Sequence, residues 1–328
     1  TASIPDDSEM AGIYVLERRA GRTPRPDGRT FISNSRIGKT DVMFGVINDA
    51  FDVYRKEGTW TLLRKAAGFG CDRAAGTARS AYWGLRGTRP FTVAGVTATF
   101  DTSNRGVVGR TSAALDRERA PLAAFLRRLR PGDTVWDVGA NVGLYTGFVA
   151  AALDPERGRV VAFEPYDPNA DLLERNAGLN QAPVDVHRLA LSDADGHVAF
   201  SHPDEDTVGA GLPAISDDRG AASRTEAARG DTLVSAGRAP APTAVKIDVE
   251  GAEPLVVEGL DTTLRTDPPR VFLVEIHHPT EAIDRGSIEE YGDSVDGFES
   301  RLESFGYEVA ERFPRPRYDD EHVLFVRT

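Results

Sequence analysis

The sequence of 328 residues contains one cysteine, Cys71, and an intramolecular disulfide bond is therefore excluded. A single cysteine is typical of a reducing compartment, or of a chain that makes no use of this residue. No histidine near Cys71 in the sequence would activate it as a nucleophile, so we interpret it as a buried or incidental thiol.

The sequence also lacks an apolar run of about 18 residues, the length that a transmembrane helix needs, and it lacks a signal peptide. We therefore expect a cytoplasmic protein without a membrane-spanning segment. A position at the inner face of the membrane stays open, since aromatic and basic side chains occur in the N-terminal part of the chain.

Lysine is scarce, because only four lysines stand among the 39 basic residues, and the net charge is −12. We interpret this acidic, arginine-rich composition as genomic bias or salt adaptation rather than as function. A bulk negative field disfavours non-specific nucleic-acid binding, and no basic patch with interleaved aromatic residues is present. We predict no nucleic-acid partner.

Three parts can be distinguished along the chain. Residues 1–40 are polar and rich in proline, glycine and arginine, so we expect them to be extended or poorly ordered. Residues 41–90 carry apolar side chains near a 3.6-residue period, which predicts a small helical unit. Residues 91–328 form the main domain. Docking of the helical unit on that domain is our preferred interpretation, while a homodimer or peripheral membrane contact stays open.

The main domain begins with a predicted hairpin over 91–102 and an amphipathic helix over 113–129. Strands and helices then alternate, which predicts a parallel sheet with helices on both faces, closed by an antiparallel hairpin. Residues 202–230 are small, polar and acidic, and we expect a long connection there. The predicted strands are 133–138, 159–164, 184–190, 243–249, 270–276, 306–311 and 322–327; the predicted helices are 143–153, 168–178, 252–261 and 295–305.

Ligands of such sheets bind beyond the carboxyl ends of the strands, so the polar residues at these ends are the candidates for a site. The first end is "DVGANVG", whose glycines permit a sharp turn into a helix that presents free N–H groups. Asp137 can accept from a ligand amine, although a tight turn without a ligand is the alternative. The loop candidates are Asp137, Gly139, Ala140, Asn141 and Gly143.

Carboxylates follow the next two strands. Glu164 stands 27 residues after Asp137 and suits the hydroxyls of a ribose, while it would repel a phosphate on that ribose. Ser192 and Asp193 follow the third strand, where an acidic group could accept from an adenine amino group; a turn-forming pair before Gly196 is the alternative.

The fourth strand carries three ionisable residues, Lys246, Asp248 and Glu250, on one face. Charges in a central parallel strand are costly unless they pair or face a cavity, so we predict either mutual neutralisation or a site, and favour a site. The fifth strand ends with Glu275 and His277, and a histidine here could take a proton near neutral pH. These residues could also bind a metal, but the spacing is not diagnostic and we predict none.

Six segments resemble, in order and spacing, those of the FkbM family of S-adenosylmethionine-dependent methyltransferases. The resemblance covers about residues 110–328, and "DVGANVG" together with "KIDVEGAE" makes it specific. The segments are "GDTVWDVGANVGLYT", "VVAFEPYDPNADLLERNAGLN", "LALSDADG", "DTLV", "VKIDVEGAE" and "VEIHHP".

The resemblance implies an α/β fold, a seven-stranded Rossmann-like class I methyltransferase sheet with its last strand antiparallel, and S-adenosylmethionine as cofactor. It implies O-methylation, in this family often of sugar or polyketide hydroxyls, and we expect a small-molecule, glycan or glycolipid acceptor. By position, Gly139, Asn141 and Gly143 would approach the methionine part, Glu164 the ribose and Asp193 the adenine. Asp248 would lie near the sulfonium. Since this cofactor has no pyrophosphate, Asn141 is allowed where a dinucleotide loop needs glycine.

Several alternatives remain at this stage. A hydroxyl acceptor must lose its proton, for which His277, Asp248 and Glu250 are candidate bases, with Lys246 beside them. A uronic acid carboxyl group would need no base, only cationic groups to hold it. A nicotinamide-dependent oxidoreductase would need the missing glycine, and a non-catalytic binding module would not need the charged residues of the fourth strand.

Overall fold

The computed structural model describes residues 87–102, 105–201, 214–215, 223–279, 286–315 and 320–328. All of them belong to the compact unit Ala78–Thr328. The part predicted for 1–40 and residues 41–86 of the helical unit predicted for 41–90, with its dimer and membrane options, lie outside the described residues. Residues 88–90, the end of that predicted unit, belong to the strand Thr88–Val93. Among the residues that are described, no helix is both long and apolar enough to cross a membrane.

The unit opens with a hairpin of β1 (Thr88–Val93) and β2 (Val96–Asp101). Its turn residues Ala94 and Gly95 both have positive φ, 49° and 83°, which is the backbone that two-residue hairpin turns prefer. This is the hairpin expected for 91–102. Helix α1 (Arg105–Arg128) follows and begins well before the predicted residue 113.

The main sheet has seven strands in the order β12-β13-β11-β10-β3-β4-β5, and the predicted α/β fold is confirmed. The five strands from β11 to β5 are parallel, and β13 runs antiparallel to both β11 and β12. Its strands are β3 (Thr134–Val138), β4 (Arg159–Phe163), β5 (Val184–His187), β10 (Ala244–Ile247), β11 (Val271–His277), β12 (Tyr307–Arg315) and β13 (Asp320–Arg327).

Successive side chains of each strand enter opposite faces, and each face has its own apolar core. Trp136 belongs to the core that contains Val256, Leu264 and Phe298, whereas its neighbour Val135 belongs to the core formed with α1 and the hairpin. The remaining helices are α2 (Leu144–Ala152), α3 (Asp167–Ala177), α4 (Gly230–Ser235), α5 (Glu253–Glu258), α6 (Asp261–Thr266) and α7 (Val295–Ser304), with a 3-10 helix at Ile288–Tyr291.

Several predicted boundaries are wrong. The fourth strand ends at Ile247 rather than at residue 249, so Asp248 and Glu250 lie in the turn after it and not on its face with Lys246. The sixth strand continues to Arg315 rather than ending at residue 311. The third strand ends at His187 rather than at residue 190, because the chain leaves the main sheet there. The predicted connection 202–230 contains strand β9 (Ser223–Ala228), part of a second sheet with β6 (Ala190–Leu191), β7 (Gly196–Ser201) and β8 (Ala214–Ile215). The helix expected over 252–261 is two short helices, α5 and α6, which local periodicity alone does not separate.

Candidate functional site

The order of the strands reverses at β3, which lies between β10 and β4. From β3 the chain proceeds outward to β4 and β5, then returns to β10 on the other side of β3. The loops after β3 and β10 therefore leave the sheet in different directions, and the crevice between them is where open α/β sheets bind ligands. Both loops carry predicted site residues, "DVGANVG" and "DVEGAE".

The loop after β3 has left-handed backbone at Gly139, Asn141 and Gly143, with φ of 72°, 51° and 86°. A Cβ atom at Gly139 would lie only 1.8 Å from the carbonyl oxygen of Asp248. Gly139 therefore brings the loops after β3 and β10 into contact with each other. Ala140 is buried, and the Asn141 side chain accepts from the Val142 amide at 2.8 Å within the turn before α2.

Glu164 lies at the end of β4 and is 3% exposed. Its two oxygens accept from the backbone amides of Asn141 at 2.8 Å and Tyr166 at 2.9 Å. Burial is the largest influence on this carboxyl group and raises its pKa to about 7, although these hydrogen bonds act in the opposite direction. The carboxylate thus joins the glycine loop to the second strand.

Ser192 and Asp193 follow the short strand β6 rather than β5, because the third strand of the main sheet ends early. The Ser192 hydroxyl donates to the Asp193 carboxylate at 3.0 Å. The Asp193 carbonyl accepts from Arg229, and the Ser192 carbonyl packs against Gly259. These contacts hold the pair in a defined turn.

Asp137 and Lys246 are register partners in β3 and β10, and both side chains are buried. Lys246 Nζ lies 3.3 Å from Asp137 and 3.5 Å from Asp248, and it donates to the Gly139 carbonyl at 2.9 Å. The other oxygen of Asp137 accepts from Thr146 at 2.6 Å. Burial alone would lower the pKa of Lys246, but the two carboxylates raise it. Lys246 therefore links the glycine loop to Asp248.

Four carboxylates surround His277, which is 1% exposed. Its Nδ1 lies 2.9 Å from Glu253, and its Nε2 lies 3.4 Å from Glu250, 3.6 Å from Glu275 and 4.0 Å from Asp248. Burial opposes protonation of the ring, yet the charges of Glu253, Glu250 and Asp248 raise the pKa of His277 to about 9. At neutral pH this histidine is therefore an imidazolium cation.

Access to a bound molecule differs among these groups. The Asp248 side chain is 29% exposed and Glu250 is 17% exposed, whereas Lys246 and His277 are 4% and 1% exposed. Burial would raise the pKa of Asp248, but Lys246 and His277 lower it. Asp248 is therefore an ionised group at the surface of the site, Glu250 lies beside it, and the cations lie behind both.

A second buried network adjoins this cluster, and the sequence patterns did not reveal it. Arg315 contacts Glu118 at 2.6 Å, Asp320 at 2.5 Å and also Glu275. His322 Nε2 lies 2.9 Å from Glu118 and 3.2 Å from Glu275. Burial raises the pKa of Glu118, but His322 and Arg315 bring it below its ordinary value. The alternation of His322 with the apolar Leu324 indicates that both side chains enter the same face of the sheet. Only the pairing of β13 with β11 shows that His322 lies beside Glu275.

Two groups among the described residues have their oxygen and nitrogen atoms close enough to share a metal ion. One is Asp248, Glu250 and His277, and the other is Glu118, Glu275 and His322. In the first group His277 lies beside the carboxylates as a counter-charge, and in the second Arg315 does. Metal independence stays a prediction from the sequence.

Comparison with known proteins gives one family and several relatives. A family model described as the methyltransferase FkbM domain matches residues 137–309. The hexuronic acid methyltransferase AglP of Haloferax volcanii is 30% identical over 160 residues, which cover 49% of this chain and 62% of AglP. The AMB antimetabolite synthetase AmbE of Pseudomonas aeruginosa is 42% identical over 74 residues, 23% of this chain and 3% of AmbE.

Among solved structures, the methyltransferase FkbM from Methylobacillus flagellatus superimposes with a TM-score of 0.39 and 15% identity, covering 67% of this chain and 58% of that one. The fold assignment rests on the strand order and not on this superposition. The chain spans less than two thirds of the length of the curated relatives it matches.

Proposed function

The chain belongs to the FkbM methyltransferase family, and we propose that it transfers a methyl group from S-adenosylmethionine to a sugar hydroxyl of a glycan or glycolipid. Membership confirms the resemblance inferred from the sequence, the methyltransferase class and the cofactor. The acceptor and the roles of single residues are our proposals.

The groups at the switch point fit this cofactor. Glu164, buried beside the glycine loop, would accept from the ribose hydroxyls. Asp193, oriented by Ser192, would accept from the adenine amino group. The loop Gly139–Gly143 and Asp248 would hold the methionine part, where a carboxylate suits a cation. When bound, the cofactor supplies a methyl group on a positively charged sulfur.

The observation that carries the acceptor proposal is the exposure of Asp248 and Glu250 in front of buried His277. A hydroxyl group that attacks a methyl carbon must lose its proton, and a carboxylate within hydrogen-bond reach can receive it. Asp248 and Glu250 are the members of the cluster that an acceptor can touch. Orientation of the hydroxyl by these oxygens would supply much of the acceleration, since displacement requires in-line approach.

The charge balance favours a neutral acceptor over a carboxylate. Among the described residues, Lys246, Arg315 and His277 are the cations of this region, and each already lies within 4.0 Å of two or more carboxylates. A uronic acid carboxylate would have to compete with these partners and would approach Asp248 and Glu250 against like charge. A hydroxyl group meets neither obstacle.

A uronic acid is the second candidate acceptor, because the relative AglP is a hexuronic acid methyltransferase. By analogy this chain would act on a uronic acid, either at a ring hydroxyl or at the carboxyl group. Transfer to the carboxyl would give a methyl ester, for which no base is needed.

Deuterated methyl groups distinguish these products. The protein is incubated with methyl-deuterated S-adenosylmethionine and two matched glycans, one neutral and one with a terminal uronic acid. Mass spectrometry then detects the label before and after mild alkali, which cleaves methyl esters and leaves methyl ethers. We expect alkali-stable label, reduced at least tenfold in Asp248→Asn and unchanged in Glu258→Gln, whose exposed side chain lies away from the cluster.

Alkali-labile label confined to the uronic acid would replace the hydroxyl proposal by the ester. Absence of label from both glycans, with S-adenosylhomocysteine still bound, would remove the glycan as acceptor and leave the cofactor assignment untouched.

A further inference from the structure

Glu253 is the first residue of α5, and its side chain is completely buried. Its Oε1 accepts from the Gly251 amide at 3.0 Å and from the Val249 amide at 3.4 Å. These amides belong to the turn that carries Asp248 and Glu250, and Glu250 has left-handed backbone there with φ of 53°. Glu253 thus fixes the turn from which both exposed carboxylates project.

The same oxygen of Glu253 lies 2.9 Å from Nδ1 of His277. Because Oε1 already accepts from backbone amides, it acts as an acceptor, and Nδ1 must carry the hydrogen in this contact. A neutral His277 is then the Nδ1–H tautomer, in which Nε2 has the free lone pair. Glu253 therefore determines which nitrogen of His277 gains and loses a proton.

Nε2 faces the exposed side of the cluster. Its neighbours are Glu250 at 3.4 Å and Asp248 at 4.0 Å from the turn, and Glu275 at 3.6 Å from the same strand. Behind Glu275 stand Arg315 of β12 and His322 of β13, both of which pair with Glu118 of α1. Nε2 therefore lies within 4.0 Å of both carboxylates that an acceptor can reach.

We propose that Glu253 is a positioning residue, which holds His277 so that, in molecules whose imidazole ring is neutral, Nε2 receives the proton that Glu250 or Asp248 takes from the acceptor. The inference rests on the proposed methyl transfer to a hydroxyl. As the acceptor oxygen bonds to the methyl carbon, the carbon–sulfur bond breaks and its electron pair stays on sulfur. The hydroxyl proton passes to the carboxylate, then to Nε2, and later to solvent.

The state of His277 in the unliganded protein tests the positioning without any acceptor. Nitrogen-15 NMR of the full chain gives the tautomer and the pKa of each histidine, and His277→Gln identifies the signal of His277. We expect protonation on both nitrogens at neutral pH, and hydrogen on Nδ1 once the pH exceeds the His277 pKa of about 9. Hydrogen on Nε2 in the neutral ring would overturn the proposal.

Glu253→Gln tests the consequence for turnover. The amide oxygen still accepts from Gly251 and Nδ1, but the negative charge beside the imidazolium is lost. Turnover at saturating substrates should rise with pH as His277 deprotonates, and in Glu253→Gln this rise should move to lower pH by about 1–3 units. The NMR pKa of His277 should fall in parallel. Glu258→Gln, at the exposed end of the same helix, should change neither.

Glu253→Gln could instead lower turnover equally at every pH, while the pH at which turnover rises and the pKa of His277 stay unchanged. Glu253 would then have only a structural role, and the proposal would be wrong. If Glu253→Gln does not fold, the tautomer of His277 in the unchanged protein decides whether the proposal holds. If the tautomer and the pKa of His277 are as expected but no methyl group is transferred to any sugar, the proposed function is wrong, while the positioning of His277 by Glu253 still holds.

Discussion

At the scale of single residues, Lys246 is the most constrained cation of the domain. It is the only lysine after Lys65 in a chain that otherwise uses arginine, and it is buried above the Tyr145 ring at 5.3 Å. An ammonium group is a compact point charge with three donors, which suits two carboxylates and a carbonyl converging from different directions. A planar guanidinium group presents its donors in a fixed fork and matches this arrangement poorly.

Lys246→Met should therefore destabilise the protein strongly. The change leaves Asp137, which is 1% exposed, without its counter-charge, and loss of one partner of a buried pair costs about 3–5 kcal/mol. Urea unfolding measures the free energy. Arg157→Met, which removes an exposed partner of Asp154, is the control and should have little effect. Equal effects of the two variants would show that Lys246 contributes no more than a surface ion pair.

At the scale of elements, four neighbouring strands follow one rule on the face that packs against α1. Each strand is apolar in the middle of the sheet and becomes charged toward the carboxyl edge of the parallel strands. Val135 is followed by Asp137, Ala244 by Lys246, and Leu273 by Glu275, while Leu324 pairs with Leu273 and is preceded by His322. The sequence indicates this change within each strand, but only the strand order places the charges side by side.

The loops after β3 and β10 depend on each other through one glycine, and a matched pair of variants tests this. Gly237→Ala introduces a side chain at φ of 66° with no atom within 4 Å, so it should cost only the backbone penalty, about 1–2 kcal/mol. Gly139→Ala has a similar φ but meets the Asp248 carbonyl. We expect a larger loss of unfolding free energy in Gly139→Ala, together with weakened binding of S-adenosylhomocysteine in calorimetry. Equal costs and intact binding would contradict the contact.

At the scale of the whole molecule, the reversal of strand order creates a crevice whose polar groups favour one kind of ligand. The Asn141 amide, which a pyrophosphate-binding loop would direct at its ligand, donates to Glu164 instead. The crevice thus has a carboxylate where a dinucleotide would place negative charge. This arrangement suits a neutral or cationic ligand with ribose hydroxyls.

Thermal unfolding with ligands tests this preference. S-adenosylhomocysteine should raise the melting temperature, since a ligand at 100 times its Kd stabilises by about 2.7 kcal/mol. NAD at the same concentration should have no effect. Glu164→Gln should abolish most of the shift with S-adenosylhomocysteine. A shift with NAD and none with S-adenosylhomocysteine would exclude the methyltransferase reading of this crevice.

The sequence by itself determined the alternation of strands and helices, the glycine loop, Glu164 and the charged residues of "KIDVEGAE". These follow from local periodicity and from residue types at strand ends, which neighbouring residues decide. Only the tertiary structure decided that β5 ends early, that Glu253 holds His277, and that Glu118, Arg315 and His322 join Glu275. Such contacts link positions as distant in the sequence as Glu118 and His322. They depend on strand order and register, which the packing of the whole core selects and no local pattern contains.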